Sequence, residues 1–102
     1  MIKLFVYGTL QDPDIQKSIL GYAPKVNDVV ETIWGYSLEN IEIEGKSYAI
    51  ACKIKEGRIH GVILEVPTID IYLIDKWEGN NYIRIYEYTI SDNLCQVYVK
   101  RK

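Results

Sequence analysis

From Ile2 to Tyr7 the chain is β-branched, aromatic and aliphatic, broken only by Lys3, and this predicts a strand. The run meets Gly8, which permits backbone conformations closed to other residues. Asp12-Pro13 then marks a helix start, because Asp accepts N–H bonds at a cap and Pro suits the first helical position. Ile15, Ile19 and Leu20 give that short helix an apolar face, and Gly21 caps its end. Residues 29–38 read as a strand interrupted by Gly35. Tyr48–Ile54 reads as another, Glu56-Gly57 as a turn, and Ile59–Val66 as the partner strand of a hairpin. Pro67 stops that strand and Thr68 is a candidate cap for a second helix. There Ile69, Tyr72, Leu73 and Trp77 recur at helical spacing until Gly79. Ile83–Ile90 alternates apolar with polar residues, Ser91-Asp92-Asn93 turns the chain, and Cys95–Val99 is the last strand, with Val97 and Val99 on one face.

About six strands and two short helices result, in one domain spanning residues 1–102. Most connections are too short for parallel crossovers. The expectation is an α+β fold: a small, mostly antiparallel β-barrel, closed or nearly so, with two short flanking helices.

Composition narrows the function. Hydrophobic residues make up 48% and charged residues 25%, as in an ordinary soluble globular protein. The net charge is −2, and the one basic run is the tail Lys100-Arg101-Lys102, so nucleic acid is not an expected partner. No apolar run has the ~20 residues of a membrane helix and no signal segment precedes the first strand, so a cytoplasmic location is expected. Cys52, Cys95 and the single histidine, His60, lack metal-ligand spacing, and neither a metal nor a disulfide is expected. One histidine on a predicted strand also offers no convincing nucleophile–base pair. The sequence leaves the oligomeric state open.

Two places depart from local rules. At Tyr7-Gly8-Thr9-Leu10 a strand ends in a glycine turn just before a helix, and successive amides in such a turn can form a concave anion site. A carboxylate or a developing oxyanion would suit it; an ordinary strand-to-helix turn has the same pattern. At Asp75-Lys76-Trp77-Glu78-Gly79, two acids three residues apart occupy the last turn of a helix, where the dipole disfavours negative charge. That placement, a like charge on Asp75 and burial beside Trp77 all act to raise the pKa of Glu78, which suits a general acid/base. A solvated helix end with two stray acids reads alike. Arg84 is expected to pair with Asp75 in a structural role. Tyr48 and Tyr98 are candidate pocket-lining residues, although nine tyrosines in strands need no function to explain them.

In order along the chain, Phe5-Val6-Tyr7-Gly8-Thr9-Leu10, Ile59-His60-Gly61-Val62-Ile63-Leu64-Glu65-Val66, Leu73-Ile74-Asp75-Lys76-Trp77-Glu78-Gly79 and Tyr82-Ile83-Arg84 resemble the gamma-glutamylcyclotransferase family. The likeness is to its small form, which includes the AIG2-like proteins and gamma-glutamylamine cyclotransferase. The resemblance implies a small β-barrel with flanking helices, Glu78 as catalytic acid/base, and Tyr7, Gly8, Thr9 and Leu10 as the substrate-binding loop. It implies release of 5-oxoproline from a γ-glutamyl amine or γ-glutamyl amino acid without any cofactor. Where the family usually has a longer polar stretch after Leu10, this chain has Gln11-Asp12-Pro13; where it often has Tyr-Pro, Tyr48 is followed by Ala49. Both places border the expected pocket, so the leaving amine stays open. A second enzymatic reading removes a γ-glutamyl protecting group from a larger intermediate. The alternative of a different class is a non-catalytic module binding a small molecule or protein.

Overall fold

The computed structural model describes residues 1–101. In chain order it contains β1 (Ile2–Val6), a 3-10 turn (Thr9–Gln11), α1 (Pro13–Leu20), β2 (Lys25–Ile43), β3 (Lys46–Val66), a second 3-10 turn (Thr68–Asp70), α2 (Ile71–Glu78), β4 (Tyr82–Tyr88) and β5 (Leu94–Lys100). The five strands form one mixed sheet in the order β2-β3-β1-β5-β4. Three pairings are antiparallel, and β1 runs parallel to β5.

Five strands replace the expected six because Tyr48–Ile54 and Ile59–Val66 are parts of one strand, β3. Glu56-Gly57 does not turn the chain. It lies in an irregularity where the register jumps from Trp34↔Arg58 to Tyr36↔Lys53, so the long ribbon bends instead of reversing. The reversal comes at Glu44 and Gly45, both at positive φ, as a two-residue hairpin turn requires. Thr68 makes no side-chain cap; the 3-10 turn that contains it leads directly into α2. The buried face of α2 is Ile71 and Ile74, while Ile69 and Tyr72 point to solvent.

Strand alternation explains how one sheet builds two cores. From β1, Ile2, Leu4 and Val6 enter a cluster with Ile50, Leu64, Val66, Ile71, Ile74, Tyr82 and Tyr98, against which α1 also packs. Phe5 enters a cluster on the opposite face with Ile33, Tyr36, Ile59, Ile63, Cys95, Val97 and Val99. Val97 and Val99 do share a face, and Tyr98 between them is buried on the other. Each fully buried aliphatic side chain contributes about 2 kcal/mol relative to exposure. Cys52 and Cys95 are free and belong to different clusters. A Cβ on Gly61 would lie 2.2 Å from the Val6 carbonyl oxygen, so only glycine lets β3 lie this close to β1. No helix among the described residues is long and apolar enough to cross a membrane.

The sheet is not closed into a barrel. Its edge strands β2 and β4 approach each other at one end without forming a ladder. The Ile90 N–H donates to the Thr32 carbonyl at 2.9 Å, and Tyr36 Oη donates to Glu87 Oε2 at 2.6 Å. The buried Glu31 carboxylate accepts from Ser91 Oγ at 2.7 Å and Asn93 Nδ2 at 3.3 Å. A bent, twisted ribbon of five strands brings the edges within reach of side chains, but a continuous strand-to-strand ladder is absent.

The bonds from the β4–β5 turn hold the Glu31 carboxyl below its usual range, chiefly the one from Ser91. A lowered folded-state pKa contributes stability that is present above the ordinary carboxylate range and is lost as pH falls through the lowered value. Glu31→Ala is expected to cost about 1 kcal/mol at neutral pH by removing the bonds from Ser91 and Asn93, both of which water can reach. The check is a urea titration, and an unchanged midpoint would show that the edge contacts carry no stability.

Candidate active site

Tyr7, Gly8, Thr9 and Leu10 line one cleft with Trp77, Glu78 and Gly79, whereas Asp75 and Lys76 lie outside it. Its volume is about 420 Å³, within the range of small-molecule sites. One wall is the end of β1 with the loop that follows it: Phe5, Val6, Tyr7, Gly8, Thr9 and Leu10. The opposite wall is the end of α2 and the turn after it: Trp77, Glu78, Gly79, Asn80, Asn81 and Tyr82. Ile43, Tyr48 and Ala49 from the β2–β3 hairpin and Tyr98 from β5 complete the lining. Glu78 is the one Asp, Glu, Lys, Arg or His in that lining.

Glu78 is the last residue of α2. The helix ends there because Gly79 adopts φ 80°, a conformation favouring glycine, while its N–H bonds the Asp75 carbonyl at 3.1 Å. The Glu78 side chain is half-buried. Among the described residues its carboxylate has neither a salt-bridge partner nor a hydrogen-bond donor. Burial, followed by the like charge of Asp75, pushes its pKa up to about 7.

Asp75, one turn earlier, is held the other way. Arg84 donates from Nε to Oδ1 and from Nη2 to Oδ2, both at 2.9 Å, and Tyr98 Oη donates to Oδ1 at 2.6 Å. These bonds, the Arg84 bond foremost, keep the Asp75 carboxyl below its usual range. Arg84 also bonds the Gln96 side-chain oxygen. The expected Asp75–Arg84 pair is therefore present, and it ties α2 to β4 and β5. Two acids three residues apart thus differ sharply: one is ionised and paired, the other unpaired and proton-retentive.

The tyrosines frame the cleft. Tyr7 Oη donates to the Tyr98 carbonyl at 2.6 Å and accepts the Ala51 N–H at 3.0 Å. Its phenol joins three strands, and burial, the largest cause, raises its pKa. Tyr82 Oη donates to the Ala49 carbonyl at 3.0 Å, and burial, followed by the Glu78 charge, pushes its pKa up to about 12. Gly8 has φ −121° and is not in the left-handed region.

A family model described as gamma-glutamyl cyclotransferase, AIG2-like, matches residues 4–102. The chain belongs to that family. AIG2-like protein A of Arabidopsis thaliana is 31% identical over 83 residues, spanning 80% of this chain and 48% of that protein. AIG2-like protein B of the same plant is 33% identical over 92 residues, spanning 88% of this chain and 51% of that protein. The chain thus spans about half the length of the curated relatives it matches. The solution structure of an Arabidopsis thaliana protein superposes with a TM-score of 0.77 at 26% identity, over 97% of this chain and 68% of that one. A structure named gamma-glutamyl cyclotransferase superposes with a TM-score of 0.78 at 15% identity, over 99% of this chain and 67% of that one, a likeness of fold.

Within this AIG2-like domain, Tyr7, Gly8, Thr9, Leu10 and Glu78 meet at the cleft, as do Tyr48 and Tyr98. Sequence reasoning did not single out Asn80, Asn81 or Ile43. The two asparagines directly follow the helix stop at Gly79, which is the signal that could have found them. Ile43 closes a hairpin whose turn was misplaced, so nothing in the pattern pointed to it. His60 faces Thr32 Oγ1 at 2.8 Å on the β2–β3 ribbon and does not line the cleft.

A carboxyl whose pKa is raised to about 7 keeps its proton in the folded state across the range where the unfolded chain has lost it. Its favourable contribution is complete below the unfolded value and is lost as pH rises through about 7. Glu78→Gln, which has the same shape and no charge, is expected to melt a few degrees above wild type at pH 8.5 and with it at pH 4. The alkaline gain corresponds to roughly 1 kcal/mol after solvent screening. Equal melting at both pH values would mean that Glu78 titrates normally. Arg84→Ala is expected to lower stability by about 1 kcal/mol, the pair being partly exposed, and to change turnover less than melting. Normal melting with lost turnover would give Arg84 a role at the substrate instead.

Proposed function

We propose that this AIG2-like chain is a cyclotransferase releasing 5-oxoproline from a γ-glutamyl amine or γ-glutamyl amino acid, with Glu78 as general acid/base. The observation that carries the reading is Glu78 itself: a half-buried, unpartnered carboxylate with a pKa near 7, lining the same cleft of small-molecule size as a strand-to-helix loop. The family match supports the reaction class.

The substrate supplies its own nucleophile. Its α-amine attacks its γ-carbonyl carbon, a C–N bond forms, and a five-membered ring closes with an oxyanion on the former carbonyl oxygen. Collapse of that intermediate breaks the original amide C–N bond and releases the amine. Glu78 takes the proton from the attacking nitrogen and returns it to the departing one, so the reaction ends with the enzyme unchanged and no water consumed. A carboxyl with a pKa near 7 can run both halves of that relay near neutral pH. Holding an extended glutamyl chain in a ring-like shape supplies much of the remaining acceleration, because it removes the entropy of bringing amine and carbonyl together. The amides of the Tyr7–Leu10 loop, which lines the same cleft, would hold the substrate carboxylate or the oxyanion. The aromatic walls of Tyr48, Trp77 and Tyr82 suit the apolar part of a leaving amine.

The test is 5-oxoproline release from a panel of γ-glutamyl dipeptides, γ-glutamyl amines and a bulkier γ-glutamyl-protected amine, at several pH values. Release is expected from at least one, with kcat/KM falling as pH drops through about 7, where Glu78 takes up its proton. Glu78→Gln is expected to lose roughly 10²-fold or more while remaining folded. Full activity in that variant would remove Glu78 from the mechanism, and no release from any member would favour a binding module on this scaffold.

A further inference from the structure

The one residue of α1 that is fully buried is polar. Gln16 is 3% exposed, whereas Ile15, Ile19 and Leu20, the apolar residues of the same helix, are only half-buried. A carboxamide is costly to bury unless it is bonded. Gln16 Nε2 donates to the Leu10 carbonyl oxygen at 2.9 Å, reaching back across the helix start into the loop that lines the cleft.

The chain chemistry at that junction explains the need. The first two carbonyls of the loop find donors along the turn. The Gly8 carbonyl accepts the Gln11 N–H at 3.1 Å, and the Thr9 carbonyl accepts the Asp12 N–H at 3.0 Å. The next donor in that series, for the Leu10 carbonyl, would be residue 13, which is proline and has no N–H. The residue after it, Asp14, spends its N–H on the Asp12 side chain at the helix cap. Leu10 is itself buried, so its carbonyl has a protein donor only because Gln16 supplies one. Across a trans peptide the carbonyl and the following N–H point in opposite directions. With the Gly8 and Thr9 carbonyls drawn along the turn toward α1, the Thr9 and Leu10 amides point out of its other end. Among the described residues neither donates to a protein acceptor.

We propose that Gln16 is a positioning residue for the substrate loop: by satisfying the Leu10 carbonyl it fixes the turn that presents the Thr9 and Leu10 amides to the substrate. The role rests on the cyclotransferase reading. Gln16 lies behind the loop and does not line the cleft, so it acts through the loop and not on the reacting atoms.

Gln16→Met has similar length and no donor. It is expected to lower kcat/KM by about tenfold or more, as misplaced binding groups do, without moving the acid limb set by Glu78. Gln16→Glu carries a donor only while protonated, so its kcat/KM relative to wild type is expected to be higher at pH 6 than at pH 8.5. Both variants are measured beside wild type on the best panel substrate, together with their melting temperatures. A lowered melting temperature with kcat/KM unchanged within twofold would reduce Gln16 to a packing role and overturn the proposal. If Gln16→Met does not fold, the Gln16→Glu ratio decides, and a pH-independent ratio overturns it. An inactive wild type overturns the cyclotransferase reading and this role with it, whereas an active wild type indifferent to both substitutions overturns this role alone.

Discussion

The junction of Asp75, Arg84 and Tyr98 fixes the end of α2 against the sheet. α2 is only eight residues long, and a helix of that length is marginal without tertiary support. Ile71 and Ile74 press its first half on the core, and the Arg84 fork and the Tyr98 hydroxyl anchor the last turn. Glu78 follows within that turn. The same Tyr98 accepts, through its backbone carbonyl, the hydroxyl of Tyr7 at the mouth of the loop. One residue of β5 therefore connects both walls of the cleft, which is possible because β5 pairs in parallel with β1 and sends its side chains to both cores.

That junction also sets the electrostatics. Asp75 is ionised because its charge is answered by Arg84, and being ionised it opposes a second charge on Glu78. Burial is the larger cause of the raised pKa and Asp75 the smaller. The fold accepts a carboxylate that is uncomfortable when charged, and the discomfort is what places its proton exchange near neutrality.

Local chemistry made α1 legible: Asp12 caps it by accepting the Asp14 N–H, Pro13 opens it, and Gly21 ends it at φ 85°. Glu78, Arg84 and the Tyr7–Leu10 loop were legible for the same reason, since each lies at a helix end or strand end with a distinct rule to obey or break. The strand count and closure were not. Glu56-Gly57 has turn composition, yet the cross-strand pairing of β2 with β3 continues on both sides of it, so the strand bends there without reversing. Barrel closure depends on the accumulated twist and bend of five strands, and no short pattern encodes that sum. The apolar face of α2 was misjudged because a 3-10 turn rotates its phase: Ile69 belongs to that turn, and Ile71 and Ile74 face inward instead.

Gln16 shows why such sites escape pattern reading from the other direction. Between Ile15 and Lys17, a glutamine reads as a surface residue of an amphipathic helix. Its burial follows from an accounting constraint on the backbone. Proline at 13 favours the helix start but removes a donor, the cap at Asp12 claims the next one, and a buried carbonyl is left over. The deficit can be located from the sequence once Asp12-Pro13 is taken as the helix start. The side chain that fills it could be named only when the loop was seen folded back on α1. The cleft wall opposite Glu78 is in this sense a consequence of how α1 begins, and the helix that contributes no side chain to the cleft determines the shape of the loop that does.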